Sequence, residues 1–489
     1  MVDDGARAGP GFRRLSTGIA GLDAILGGGL FEGGLYVLQG APGTGKTILA
    51  NQICYHRVSE GERAAYVTLP GEAHDRLLRH IGALGFADLS KVPGHLSYLS
   101  AFGELSEGGL PAALAMICDL LRRREPAFLV LEGLYVAREH AASDNEFRTF
   151  VHVLQGLAGQ HGCTMLFTTK AAAAEPGPEL PLADGLIELH DDLVTGRAVR
   201  SLEVTKLRGS AFLRGRHVFR ITDEGIRAFP RLETLVRPTR NVPPASGKIS
   251  IGVDDLDRMM LGGIPAGSTT LLAGPSGSGK TTLGLLFLAR ATPEEPALLF
   301  GCYEAPEEIR MKAASLGIAY DAMVASGALE VVWHPPMESF LDETGERLLA
   351  AARRTGARRI FVDGIGAFRQ VAVHPGRLNA FLTALSIILR SHQITTVFAG
   401  EARGLLTLED LVVDEVSPIA ENIVLMRFAE YRSRLLRMMS ILKIRQSDFD
   451  PSIVPFEITG TGILLQPPLK NAEAIMRGTV HRNPRHGAP

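Results

Sequence analysis

Cysteine is scarce and nowhere paired for chemistry. The four residues, Cys54, Cys118, Cys163 and Cys302, lie outside any CxxC spacing and away from histidines at zinc-ligand spacing. That excludes a disulfide framework and the common zinc motifs, and it predicts reduced, mostly buried thiols. No apolar run is long enough to cross a bilayer, so no transmembrane helix is expected and the cytoplasm is the default location. Neither sign of charge dominates: 51 Lys and Arg face 53 Asp and Glu, a formal net charge of −2. Bulk attraction to nucleic acid or to an anionic membrane is therefore not expected. The opening residues, MVDDGARAGPGFRR, carry charge with no apolar segment behind it, and read as a flexible leader over 1–14.

What remains is ordinary globular composition, 46% hydrophobic and 21% charged, in 489 residues. That length exceeds one hydrophobic core and predicts two or three domains. An internal repeat sets the number at two. Residues 17–47, TGIAGLDAILGGGLFEGGLYVLQGAPGTGKT, align without a gap on residues 251–281, IGVDDLDRMMLGGIPAGSTTLLAGPSGSGKT. Leu22–Asp23 meets Leu256–Asp257, and Lys46 meets Lys280. A period of a whole domain means duplication, not a solenoid. RPTRNVPPASG, residues 237–247, reads as the linker between domains at 15–236 and 248–466, with a basic tail over 467–489.

In each half, short apolar runs alternate with helical patterns. LYVLQ, AAYVTL, LSYLS, AFLVLE and CTMLFTT in the first half match TTLLA, ALLFGC, LEVVW, RIFVD and TTVFA in the second. HDRLLRHIGALG and PAALAMICDLLRRR read as helices between them. Alternation of this kind implies an α/β fold with a mostly parallel sheet covered on both faces. RSLEVTKLRG and ENIVLMRFAE read as later strands that extend the sheet edge.

Gly40-Ala-Pro-Gly-Thr-Gly-Lys46-Thr47 and Gly274-Pro-Ser-Gly-Ser-Gly-Lys280-Thr281 both satisfy GxxxxGK[ST], each between an apolar strand and a helical pattern. The backbone N–H groups of Gly43, Thr44 and Gly45, and of Gly277, Ser278 and Gly279, are placed to curl around a polyphosphate at a helix N-terminus. Lys46 and Lys280 reach the β- and γ-phosphates. Thr47 and Thr281 offer a hydroxyl to magnesium, with Thr282 following in the second loop. ATP and Mg2+ are the expected ligands. A further acid should end a later buried strand and orient the ion's water shell. Asp363 ends RIFVD and Glu132 ends AFLVLE. A general base belongs at the end of the strand after the P-loop helix. There the second half has Glu304, whereas the first half has Pro70 and Gly71 at the positions read as Glu304 and Ala305, followed by Glu72. The first site reads as able to hold ATP and poorly equipped to cleave it.

These residues resemble the KaiC family, a branch of the RecA-like ATPases that includes a circadian autokinase. STGIAGLDAILGGGL, the two P-loops, and KLRG followed by ITDEGIRAFPRLE carry the resemblance, which spans residues 15 to about 465. It implies two tandem RecA-like P-loop domains and a ring homo-hexamer with ATP held between neighbours. It implies that Lys206 and Arg208 of KLRG, and Lys443 and Arg445 of KIRQS, reach the γ-phosphate of an adjoining subunit. The family carries two adjacent glutamates per domain, where this chain has Pro70-Gly71 and Glu304-Ala305. The family's Ser–Thr phosphoacceptor pair falls on Ser417-Pro418, behind Asp414 and Glu415, so one acceptor remains. His74, His80 and His161 read as surface or packing residues, and Trp333 as core. The tail reads as disorder, its alternative being a docking peptide. The leading reading is an ATP-hydrolysing signalling hexamer that autophosphorylates on Ser417, with a protein signalling partner. The alternatives are a nucleotide-gated scaffold and a DNA motor. The near-zero net charge and the lack of a basic-aromatic loop argue against nucleic acid.

Overall fold

Buried apolar strands that alternate with amphipathic helices build the same architecture twice. The computed structural model describes residues 13–71, 74–170, 179–236, 246–401, 419–431, 433–445 and 447–469, with backbone alone at 472–473 and 481–482. The chain divides between Thr234 and Leu235 into two units, each built on one nine-stranded, mostly parallel sheet.

In the first unit the P-loop strand Leu35–Gly40 lies inside the sheet, parallel to Thr164–Thr169 on one side and to Gly185–Val194 on the other. Beyond Thr164–Thr169 come Phe128–Glu132, Ala64–Thr68 and the edge strand Leu96–Ser100, all parallel. On the far side Gly185–Val194 turns back into Arg197–Leu207, and His217–Thr222 and Gly225–Phe229 complete an antiparallel flank. The second unit repeats this order with Thr269–Gly274 as its P-loop strand. Both units leave one strand between the P-loop strand and the strand ending in the acid. Parallel strands covered on both faces must be apolar throughout. Tyr36, Val37 and Leu38, and Leu298, Leu299 and Phe300, are accordingly fully buried.

Two expectations need correction. All of ENIVLMRFAE but its first residue lies in the strand Asn422–Tyr431, which pairs parallel to the P-loop strand and so sits in the interior of the sheet, the true edge being Gly462–Leu465. Its run of apolar residues reflects that interior position. Trp333 ends an outermost strand and is 44% exposed, not core. Elsewhere Cys54, Cys163 and Cys302 are buried and Cys118 is half-buried, all as free thiols, and burial pushes the Cys302 thiol up to about 12. His80 and His161 are exposed, and His74 contacts the Thr68 hydroxyl at 3.0 Å. PAALAMICDLLRRR is the second part of a helix at Phe102–Arg124 that breaks at Gly109. Among the described residues no helix is long and apolar enough to cross a membrane.

The repeated Leu-Asp pair has a structural role. Asp23 accepts from the Thr17 N–H at 2.8 Å, the Thr17 hydroxyl at 2.6 Å and the Ser16 hydroxyl at 2.7 Å. It thereby ties the entry strand to the helix Ala20–Leu26. Asp257 does the same with Ile251 N–H, at 2.8 Å, and with the Ser250 hydroxyl. Each carboxylate gathers donors that the turn would otherwise leave unpaired. Asp23→Ala should lower the stability of the first unit by about 2 kcal/mol. Urea unfolding checks this: an unchanged midpoint would show that the turn holds without its carboxylate.

Candidate functional site: paired phosphate cradles

Each cradle starts where a parallel strand ends and a helix begins. A Cβ on Gly40 would lie 2.6 Å from the Leu189 carbonyl oxygen, and one on Gly274 2.1 Å from that of Met426. The loop can leave the sheet at that angle only with glycine. Gly45 and Gly279, with φ of 103° and 105°, then open the helices Lys46–Ser59 and Lys280–Leu288 in a left-handed conformation closed to most side chains. Thr44 and Ser278 are buried beneath the loops, and the Thr44 hydroxyl donates to the Ala41 carbonyl at 2.9 Å. What these two positions can offer a phosphate is therefore their backbone.

Both lysines fold back over their loops. Lys46 Nζ donates to the Gly40 and Ala41 carbonyls at 2.7 and 2.9 Å. Lys280 Nζ donates to those of Gly274 and Pro275, both at 2.8 Å. Burial lowers the pKa of each, and Glu132 opposes this at Lys46, as do Glu401 and Asp363 at Lys280. A polyphosphate offers these ammonium groups a stronger partner than a neutral carbonyl.

Each strand-end acid lies beside the P-loop threonine of its unit. Thr47 Oγ1 donates to Glu132 Oε1 at 2.6 Å, across a strand that separates the two segments in the sheet. In the second unit Asp363 and Thr281 line one cleft, and burial raises the Asp363 pKa, an effect the Thr281 hydroxyl partly offsets. Hydroxyl and carboxylate together form a hard, oxygen-only pair suited to Mg2+, the threonine as ligand and the acid through its water shell. Thr282, largely buried, lines the second cleft below.

The second cleft encloses about 570 Å³, within the range of small-molecule sites. Besides the P-loop and Asp363 it is lined by Tyr303, Glu304, Lys312 and Glu401. Lys312 Nζ donates to both Glu304 oxygens, at 2.7 and 2.8 Å. No motif marked Lys312: it lies on the helix Pro306–Ser315, and only the turn of that helix brings it to Glu304.

The correspondence between halves shifts by one residue at this point. Thr68 pairs with Glu132 as Gly301 pairs with Asp363, which puts Pro70 opposite Tyr303 and Gly71 opposite Glu304. The glycine after each acid agrees. A Cβ on Gly133 would strike Pro70 at 2.6 Å, and one on Gly364 would strike Tyr303 at 2.5 Å. The slip arises between P-loop and strand, where a 14-residue helix in the first unit matches a 9-residue helix in the second. The first unit still has no carboxylate at either position among the described residues, and Glu72 lies outside them.

The K-x-R pairs lie at the other end of the sheet. Lys206 pairs with Leu186, beside the start of the P-loop strand, and donates to the Leu180 and Pro181 carbonyls. Arg208 Nη2 donates to Pro181 O at 2.8 Å. Lys443 donates to Ala420 O at 2.8 Å, and the Arg445 N–H donates to the Glu421 carbonyl. Lys206 lies level with Val37 and Lys443 level with Leu271, three residues before the glycine that opens each loop, so at about 3.3 Å per residue their backbones sit roughly 10 Å behind the loop along the sheet. Ser417, with Asp414, Glu415 and Pro418, lies outside the described residues.

A family model described as "ATPase: KaiC" matches residues 15–233 and again 249–470. The chain is 27% identical over 485 residues to the "Circadian clock oscillator protein KaiC" of Synechococcus elongatus, covering 96% of this chain and 92% of that protein. It is 25% identical over 485 residues to the protein of the same name from Picosynechococcus, covering 96% and 93%. To the "Circadian clock protein KaiC3" of Synechocystis it is 26% identical over 488 residues, covering 96% and 95%.

Asp363 lines the cleft with the threonine that would hold the ion, so Asp363→Asn should weaken Mg2+-dependent nucleotide binding in the second cleft roughly 10- to 100-fold. A magnesium titration of nucleotide affinity measures this. An unchanged magnesium dependence would place the ion elsewhere.

Proposed function

The chain belongs to the KaiC family of ATPases, and from that premise we propose that it is an ATP-driven signalling protein which holds ATP in both units and cleaves it in the second. The observation that carries the proposal is the second cleft, where Lys280, the Thr281–Asp363 pair and Glu304 line one cavity. Lys280 and the loop amides bind and orient the β- and γ-phosphates. Thr281 and Asp363 are the residues to hold Mg2+, whose positive charge offsets the negative charge that builds up during phosphoryl transfer. Glu304 is the proposed base that takes a proton from the attacking water. To do so it must turn from Lys312 toward the phosphates, and Lys312 remains beside it as a further cation.

Lys206 with Arg208, and Lys443, are held by carbonyls behind the loop of their own unit, and Arg445 lies further back still. We assign them to the adjoining subunit of a ring homo-hexamer, where they meet the γ-phosphate. Light scattering should find a ring-sized species with ATP and magnesium and smaller species once nucleotide is removed. A monomer under every nucleotide condition overturns this.

Loss of a general base costs roughly 10²- to 10⁴-fold in rate. Glu304→Gln should therefore remove most turnover while ATP still binds, and Lys46→Ala should weaken assembly more than turnover per assembled ring. Near-wild-type hydrolysis by Glu304→Gln would reverse the roles of the two units. A second reading, a nucleotide-gated scaffold that recruits a protein partner, draws on Pro70 and Gly71 standing opposite Tyr303 and Glu304. Partner capture that depends on ATP, with little hydrolysis, would favour it. Autophosphorylation on Ser417 belongs to the leading reading. Labelled ATP should transfer phosphate to the Ser417 peptide, and label undiminished in Ser417→Ala would remove this activity.

A further inference from the structure

At one position the two cradles carry opposite charges. In the second unit Glu401 pairs in register with Gly274, the first residue of the P-loop. It lines the cleft and acts electrostatically on Lys280. In the first unit Gln39 pairs with Thr169, so the next residue along, Lys170, stands beside Gly40, the first residue of that P-loop. Neighbouring strands lie about 4.8 Å apart, so the Lys170 backbone is one strand spacing from Gly40. Gly40 is also the residue whose carbonyl Lys46 holds at 2.7 Å.

Lys170 is exposed, and its Nζ lies 3.6 Å from the centre of the Tyr135 ring. Tyr135 belongs to the short helix Leu134–Glu139, which follows directly from Glu132 and Gly133. The ammonium is thus parked at the wall of the first cradle. An exposed cation–π contact is weaker than a charge-assisted bond to a phosphate oxygen. No acid partners Lys170 among the described ion pairs.

We infer that Lys170 is a terminal-phosphate ligand of the first cradle, a cation supplied from within the chain that makes this site keep ATP in preference to ADP. The inference rests on the reading that the first cradle binds ATP. The γ-phosphate brings the charge that distinguishes ATP from ADP, and a second ammonium beside Lys46 rewards that charge. With Pro70 and Gly71 where the second unit has Tyr303 and Glu304, the added attraction deepens the bound state without assisting attack by water. Glu401 has the opposite effect in the second cradle. There it repels the terminal phosphate unless Lys280 and a divalent ion offset it.

The test uses the full-length chain carrying Lys280→Ala, so that the first cradle alone reports nucleotide. Fluorescent ADP and a fluorescent, non-hydrolysable ATP analogue are titrated into this parent and into versions that add Lys170→Ala, Lys170→Arg or Lys170→Glu. Lys170→Ala should weaken the ATP analogue roughly tenfold and ADP no more than about twofold. Lys170→Arg should restore most of the preference, and Lys170→Glu should lose more of it than Lys170→Ala. Equal losses for both nucleotides, or no loss for either, would overturn the assignment while leaving ATP binding in the first unit intact. If the parent binds neither nucleotide, the reading of the first cradle fails, and the assignment fails with it.

Discussion

The bond from Thr47 to Glu132 joins residues 85 positions apart, across a sheet in which their two strands are not neighbours. It forms only when Thr164–Thr169 is inserted between those strands and the P-loop helix lies over all three. In the second unit Thr281 and Asp363 line one cleft, again with a single strand between their two segments. Hydroxyl and acid are therefore positioned by the order of the sheet and not by any local turn. The glycines at Gly40 and Gly274 are the other half of this constraint. They let the loop pass against the Leu189 and Met426 carbonyls without collision, which aims the helix N-terminus at the end of the acid-bearing strand.

Much of this was legible in the sequence because it depends on period and spacing. Parallel strands buried on both faces must be apolar along their whole length, and that pattern marked five parallel strands in each half, although it passed over Gly185–Val194, whose second part carries polar residues. Glycine, lysine and threonine at fixed spacing disclosed the cradles, because the backbone must curl there and few other residues allow it. The strand-end acids were legible once the strands were. The repeat also foretold Asp23 and Asp257, although their work of gathering Ser and Thr donors at the entry turn came only with the fold.

What escaped the sequence was whatever depends on one residue of register or on contacts made in space. An ungapped alignment through the P-loops runs past a helix that differs in length between the halves, and so misplaces Pro70 and Gly71 by one position. Lys312 is an unremarkable helical lysine until the helix turns it toward Glu304. Lys170 follows a strand in a way no motif records, and only its pairing level relative to Gly40 gives it meaning. Trp333 belongs to an apolar run, but that strand is outermost and its last residue has no strand beyond it to bury the ring.

Duplication explains why the two cradles agree in one respect and differ in another. The residues proposed to hold ATP and its ion, namely loop amides, lysine, threonine and strand-end acid, are fixed by the sheet, and changing one disturbs the entry to the helix or the floor of the site. The residues at the rim answer to fewer constraints. Pro70 and Tyr303 each cover the glycine after the acid, so either fills that space, although only the loop carrying Tyr303 goes on to a carboxylate. Glu401 ends a strand and Lys170 follows one, both in the open, where a change of sign costs the fold little. A duplicated ATPase can therefore drift toward retention in one copy and turnover in the other by substituting rim residues alone. On the assignment of Lys170 proposed above, the charge facing the terminal phosphate is where the two cradles differ most.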